Sequence, residues 1–210
     1  MLASAQRTVS FPTDDSGHVC ADLYGQGSRG VVLAHGGRFN KESWRVQADT
    51  LAARGFRVLA IDFRGYGCSK GPGMTNAEGL PYEKDVLAAV RYLEARGAKT
   101  VSVVGGSFGG AATGDASIKS APGEIDRLVM LGAAPDLPAS GLESRTLFIV
   151  ARYDSDGTGP RLPEIRRQYA KAPQPKELVI LDGTAHAQFL FQTDQSGLVM
   201  REMLRFLSRP

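Results

Sequence analysis

Six short apolar runs recur along the chain: Val31–Ala34, Val58–Ile61, Val101–Val104, Leu128–Leu131, Leu147–Val150 and Leu178–Leu181. Apart from Ser102 in the third, each is apolar throughout rather than alternating. That is the pattern of strands buried on both faces, as in a parallel sheet covered by helices. Helical spacing lies between them. Lys41 to Arg54 puts Trp44, Ala48 and Leu51 on one face, with Asn40 as N-cap and Gly55 just past the end. Tyr82 to Arg96 does the same with Tyr82, Val86, Val90 and Leu93, and Gly97 follows. Leu162 to Lys171 predicts a weaker helix. Ser196 to Ser208, with Val199, Met203 and Phe206, predicts a closing one that covers the sheet. The start differs: Thr8–Phe11 and His18–Tyr24 flank Asp14-Asp15-Ser16-Gly17 and predict a hairpin. The sum is an α/β fold in one domain over residues 1–210. It has a mostly parallel central sheet, an N-terminal antiparallel hairpin and helices on both faces.

Two connections bear on function. Arg64 to Leu80 is long and rich in Gly and Pro, the kind of loop that is often functional or mobile. Gly132 to Ser144 is too short for a lid domain, with room for one helical turn. Glycine is over-used, 25 in 210 residues against a usual share of about 7%. The excess is clustered, which marks tight turns and close approaches.

Charge narrows the partners. Lys plus Arg is 25 and Asp plus Glu 22, a net +3 that is scattered, with no basic run to grip phosphates. Nucleic acid is therefore not expected. No stretch of about 18 apolar residues predicts a membrane span, and Met1 to Thr8 lacks the apolar core of a signal peptide. The expected compartment is cytoplasmic, and the two cysteines, Cys20 and Cys68, are expected as free thiols. Three scattered histidines give no metal-binding spacing, so neither metal nor cofactor is expected.

The chemistry centres on Gly105-Gly106-Ser107-Phe108-Gly109-Gly110, directly after an apolar run and before a helix-compatible stretch. G-x-S-x-G in that context is a nucleophile elbow, with the serine on a strained strand-to-helix turn. A serine needs a base. Of the three histidines, His18 lies in the hairpin and His35 in a glycine pair. His186 follows the last apolar run, at the edge where parallel sheets form their sites. The base needs an orienting carboxylate. Asp154 is four residues past Val150 and Asp156 six. The nearer is favoured, because a strand end holds it better, and Asp156-Gly157 reads as turn chemistry. The chain order is then Ser107, Asp154, His186.

With these residues the sequence resembles the α/β-hydrolase superfamily over nearly its whole length. His35-Gly36-Gly37 resembles that family's oxyanion-hole motif, and Asp62-Phe63-Arg64-Gly65-Tyr66-Gly67-Cys68-Ser69 its D-x-R-G-x-G-x-S segment. The resemblance implies catalytic Ser107, Asp154 and His186, and an oxyanion hole made by the N–H groups of Gly37 and Phe108. His35, Asp62 and Arg64 would be structural. Arg38, Phe39 and Phe189 are the expected substrate contacts, with Phe108 and Phe191 also near that edge. The short Gly132–Ser144 link is similar to small capless members such as dienelactone hydrolases, though those usually carry a cysteine nucleophile.

The function expected is a serine esterase taking a small-molecule acyl substrate, as monomer or homodimer. Thioesters, lactones and amides ask for the same groups. A peptidase is the weaker variant, since no acidic cluster for a peptide's amine is visible. A non-catalytic ligand binder on this fold is the rival from another class. A nucleotide site is disfavoured, because Gly65-Tyr66-Gly67-Cys68-Ser69-Lys70 has lysine where the third glycine belongs.

Overall fold

The computed structural model describes residues 6–72, 79–157 and 159–209. Every apolar run named above becomes a strand of one eight-stranded sheet. The strands are β1 (Arg7–Pro12), β2 (His18–Tyr24), β3 (Arg29–Ala34), β4 (Phe56–Ile61), β5 (Thr100–Gly106), β6 (Arg127–Leu131), β7 (Arg145–Ala151) and β10 (Lys176–Leu181). A separate two-residue ribbon pairs β8 (Ser155–Asp156) with β9 (Gly159–Pro160). The order across the main sheet is β1-β2-β4-β3-β5-β6-β7-β10. β1–β2 and β2–β4 are antiparallel, and every other pairing is parallel.

Alternate residues of each central strand feed two cores. Val32 and Ala34 of β3 face one side, with Val86, Val90 and Leu93 of α2 (Tyr82–Ala95), Ala112 and Ala116 of α3 (Phe108–Lys119), and Ile165 of α4 (Arg161–Lys171). Val31 and Leu33 face the other, with Ala48 and Leu51 of α1 (Arg45–Ala53) and Val199, Met203 and Phe206 of α5 (Ser196–Leu207). Burial on both faces is why these strands carry no polar alternation. At the edge, β10 is only partly buried.

Two expectations need adjusting. The helix expected from Lys41 begins with a 3₁₀ turn, Lys41–Trp44, before α1. Asn40 caps that turn as expected, its Oδ1 accepting from the Ser43 N–H, while Asp62 Oδ1 accepts from the Lys41 N–H. The cysteines are not free thiols: Cys20 and Cys68 form a disulfide. The pairing of β2 with β4 brings the loop after β4 beside β2, with the two Cα atoms 5.8 Å apart, a proximity that a separation of 48 residues conceals.

The chain runs β3 to β4 on one side, then returns to β5 on the other. The sheet therefore has a topological switch between β3 and β5, where crevices form at the carboxyl ends of strands. The link over 132–144 holds one 3₁₀ turn, Ala139–Gly141, and no inserted domain. Six residues of the Arg64–Leu80 loop, 73–78, lie outside the described residues. No helix among the described residues is long and apolar enough to cross a membrane.

Candidate active site

Ser107 sits where β5 ends and α3 begins, with φ 54° and ψ −129°. That left-handed conformation is costly for a residue with a Cβ and persists only where its surroundings hold it. The Ser107 N–H donates to the Leu131 carbonyl of β6, and its own carbonyl accepts from Gly110 and Ala111 to start the helix. The flanking glycines are required by crowding. A Cβ at Gly105 would stand 2.3 Å from the Gly109 carbonyl oxygen, and one at Gly109 2.3 Å from that of His35.

Asp154 and His186 are brought together by an extension of the sheet. Beyond β7 and β10 the ladder continues, with Arg152 N–H to Leu181 O at 2.7 Å and Tyr153 N–H to Gly183 O at 3.0 Å. The loops after two neighbouring strands are thereby zipped. Asp154 is fully buried. His186 Nδ1 lies 2.8 and 3.1 Å from its two carboxylate oxygens, and Nε2 lies 2.8 Å from Ser107 Oγ. A carboxylate only accepts, so Nδ1 carries the proton and Nε2 is the acceptor for the serine hydroxyl. Asp156 takes a different partner, Arg161 Nη1 at 3.3 Å.

The loop after β3 faces the elbow. His35 is fully buried, and burial pushes its pKa down, so the ring is neutral. Its Nδ1–H donates to Gly36 O at 2.9 Å, and Nε2 accepts from the Phe63 N–H at 3.3 Å. The Tyr66 hydroxyl donates to Gly37 O. The N–H groups of Gly37 and Phe108 have no acceptor among the described residues. Gly37 lines a cavity that Ser107 also lines, and Phe108 follows Ser107 in the chain, so both donors belong to segments that could serve an oxyanion.

Ser107 lies in the wall of two cavities. One, of about 420 Å³, is lined by Gly37, Arg38, Phe39, His186 and Phe189, with the two phenylalanine rings 4.9 Å apart. Phe191 is not part of it: its ring packs on Trp44. The other, of about 390 Å³, is lined by Tyr82, Phe108 and Ala111 and by four carboxylates, Glu83, Asp115, Asp136 and Asp156. Burial pushes the Asp115 carboxyl up, and Asp136 adds to the shift. Glu83 meets Lys119 at 2.6 Å. No acidic cluster is visible along the sequence, yet folding gathers this one from four segments. Its members are up to 73 positions apart, from 83 to 156, and only a contact map could have found it.

Residues 30–206 match the family described as alpha/beta hydrolase fold. An AB hydrolase superfamily protein of Bacillus subtilis, YisY, is 30% identical over 129 residues, 60% of this chain and 42% of that protein. A non-heme chloroperoxidase of Streptomyces lividans is 32% identical over 105 residues, 50% of this chain and 37% of that protein. The chain thus covers under half the length of these curated relatives. Among solved structures, a Pyrococcus furiosus esterase superposes with a TM-score of 0.76 at 19% identity, over 99% of this chain and 92% of that one. A dienelactone hydrolase from Anabaena variabilis gives 0.78 at 21% identity, over 97% of each chain. With its uninterrupted sheet and short link after β6, the chain belongs to the alpha/beta hydrolase fold family, in capless form.

Proposed function

We propose that this chain is a serine hydrolase of small carboxylic esters, working through an acyl-enzyme. The observation that carries the reading is the hydrogen-bonded row Asp154–His186–Ser107, both links at 2.8 Å. His186 Nε2 takes the hydroxyl proton as Ser107 Oγ attacks the acyl carbon. The N–H groups of Gly37 and Phe108 receive the oxyanion, and Asp154 stabilises the imidazolium. The imidazolium then protonates the departing alkoxide, and water reverses the sequence with His186 again as base.

This proton transfer orients the substrate. The leaving oxygen must reach His186, so the alcohol half occupies the cavity lined by His186, Arg38, Phe39 and Phe189. The acyl half then occupies the cavity of Tyr82, Phe108 and the four carboxylates. Thioesters and lactones present the same carbonyl to the same groups. The whole chain, residues 1–210, acts as one unit in this reading, as monomer or homodimer. The Cys20–Cys68 disulfide favours an oxidising compartment over the cytoplasmic one expected from the sequence.

The test is a fluorophosphonate followed by intact mass, with Ser107→Ala alongside. One adduct on the wild type and none on the variant is expected, together with a loss of roughly 10³-fold or more in kcat on p-nitrophenyl esters. Equal activity in the variant, or no adduct on folded wild type, sinks the proposal.

A further inference from the structure

Gln188 follows His186 by two positions and is buried. Its amide makes two bonds that reach far from its own loop. Oε1 accepts from the Gly36 N–H at 2.7 Å, and Nε2 donates to Ser43 Oγ at 2.8 Å. Ser43 is itself fixed, its Oγ donating to Asn40 O at 2.5 Å. One side chain therefore ties three segments: the loop that carries the base, the loop that carries the Gly37 donor, and the turn before α1.

The geometry of one peptide unit makes this tie matter. In a trans peptide the N–H points opposite to the carbonyl oxygen. Gly36 O is held by His35 Nδ1 at 2.9 Å and by the Phe39 N–H at 3.0 Å, so the Gly37 N–H points away from both. Planarity ties the Gly37 N–H to that carbonyl, but the whole unit can still swing about the φ and ψ of Gly36, which a glycine leaves wide, unless the unit before it is also held. Gln188 supplies the second point of support, on the Gly36 N–H. It also uses up that N–H, leaving Gly37 as this loop's donor to an oxyanion. A buried Gly36 N–H without an acceptor would be driven to rotate toward water or another oxygen, because an unmet buried donor is costly.

We infer that Gln188 is a positioning residue: by holding the peptide unit before Gly36 it keeps the Gly37 N–H in place and locks the oxyanion donor to the loop of His186. The inference rests on the hydrolase reading above. Gln188 does not touch the reacting atoms, so it acts through Gly36 and Gly37.

The test uses Gln188→Met, which keeps length and apolar stem but neither bond, and Ser43→Ala, an exposed site that removes the anchor of Nε2 along with the hydroxyl's own bond to Asn40 O. Active sites are counted by the fluorophosphonate end point, so that misfolded protein drops out. For Gln188→Met, kcat per titrated site is expected to fall about 10- to 100-fold, as for a displaced oxyanion donor. KM should stay within about twofold, because the donor acts on the transition state. Affinity for a trifluoromethyl ketone, which mimics the tetrahedral adduct, should fall by the same factor as kcat. The pH profile should not move, since Gln188 carries no charge. Ser43→Ala should shift kcat and ketone affinity in the same direction by less, and it decides the matter if Gln188→Met does not fold. Unchanged kcat per titrated site and ketone affinity overturn the inference, as does a loss confined to melting temperature or titratable fraction. A wild type with neither esterase activity nor adduct is a different failure: it takes down the hydrolase reading, and this inference with it.

Discussion

Asp154 and Asp156 stand two residues apart, and the fold gives them opposite surroundings. Asp154 is sealed from water with both oxygens on His186, whereas Asp156 is exposed and meets Arg161. Asp154→Asn is therefore expected to lower kcat by about 10²- to 10⁴-fold, by losing the preferred imidazole tautomer. Asp156→Asn should change kcat little and act on KM, since Asp156 lines both cavities. Steady-state kinetics of the two variants checks this, and the reverse ranking would show the wrong carboxylate had been chosen. His35 gives a pH prediction. Burial lowers its folded-state pKa, so below about pH 6.5 the unfolded chain binds a proton that the folded chain resists. Its contribution to stability is whole above that pH and is lost as pH falls below it. The melting temperature of the wild type should drop more between pH 7.5 and 5.5 than that of His35→Asn, and parallel drops would refute it. Ser107, Asp154 and His186 were legible because each follows an apolar run in a known order. Gln188 was not, because a bond between positions 36 and 188 leaves no local mark on either.

Elements carry the same lesson. Runs such as Val31–Ala34 were readable because a strand buried on both faces is apolar at successive positions. The loop after β4 was misread in one respect, because what holds it is non-local. Arg64 is fully buried, its Nε and Nη2 on Asp85 of α2 and its Nη1 on Asp15 of the hairpin turn. The guanidinium holds the Asp15 carboxyl well below the usual carboxylate range. Ser69 Oγ donates to Asp62 O and accepts from the Cys20 N–H, and Lys70 bridges to His18. The disulfide is one more tie in this cluster, closing a span of 48 residues. Cross-linking so long a loop restricts the unfolded chain, so Cys68→Ser should cost about 2–4 kcal/mol. Urea unfolding of the variant against oxidised wild type measures it. Equal midpoints, or two free thiols by alkylation and mass, would show that the bond does not form.

At the scale of the whole molecule, the two cavities at Ser107 differ in charge, and that difference has consequences for rate. In the proposed orientation the acyl side gathers Glu83, Asp115, Asp136 and Asp156 against Arg161, with Lys119 near Glu83. The alcohol side shares Asp156 but presents Arg38, which has no carboxylate partner among the described residues, beside Phe39 and Phe189. Unit charges a few ångströms apart near a protein surface interact by about 4 kcal/mol at an effective dielectric constant of about 20, and exposure and salt reduce this. A net surplus of carboxylates should thus penalise an anionic acyl group by about tenfold or more in kcat/KM. Two ester series separate charge from size. In p-nitrophenyl esters from acetyl to dodecanoyl, short chains should be favoured, because a cavity of about 390 Å³ bounds the acyl side and no lid domain extends it. The glutarate monoester should then be slower than the pentanoate, which matches it in chain length without the charge. Moving the negative charge to the other half, as in 4-carboxyphenyl butyrate, should remove the penalty, and Arg38→Ala should reverse any gain. If the glutarate and pentanoate esters react alike, the carboxylates do not face the acyl group. If the penalty instead follows the charge onto the alcohol, the substrate lies the other way round between His186 and Phe108.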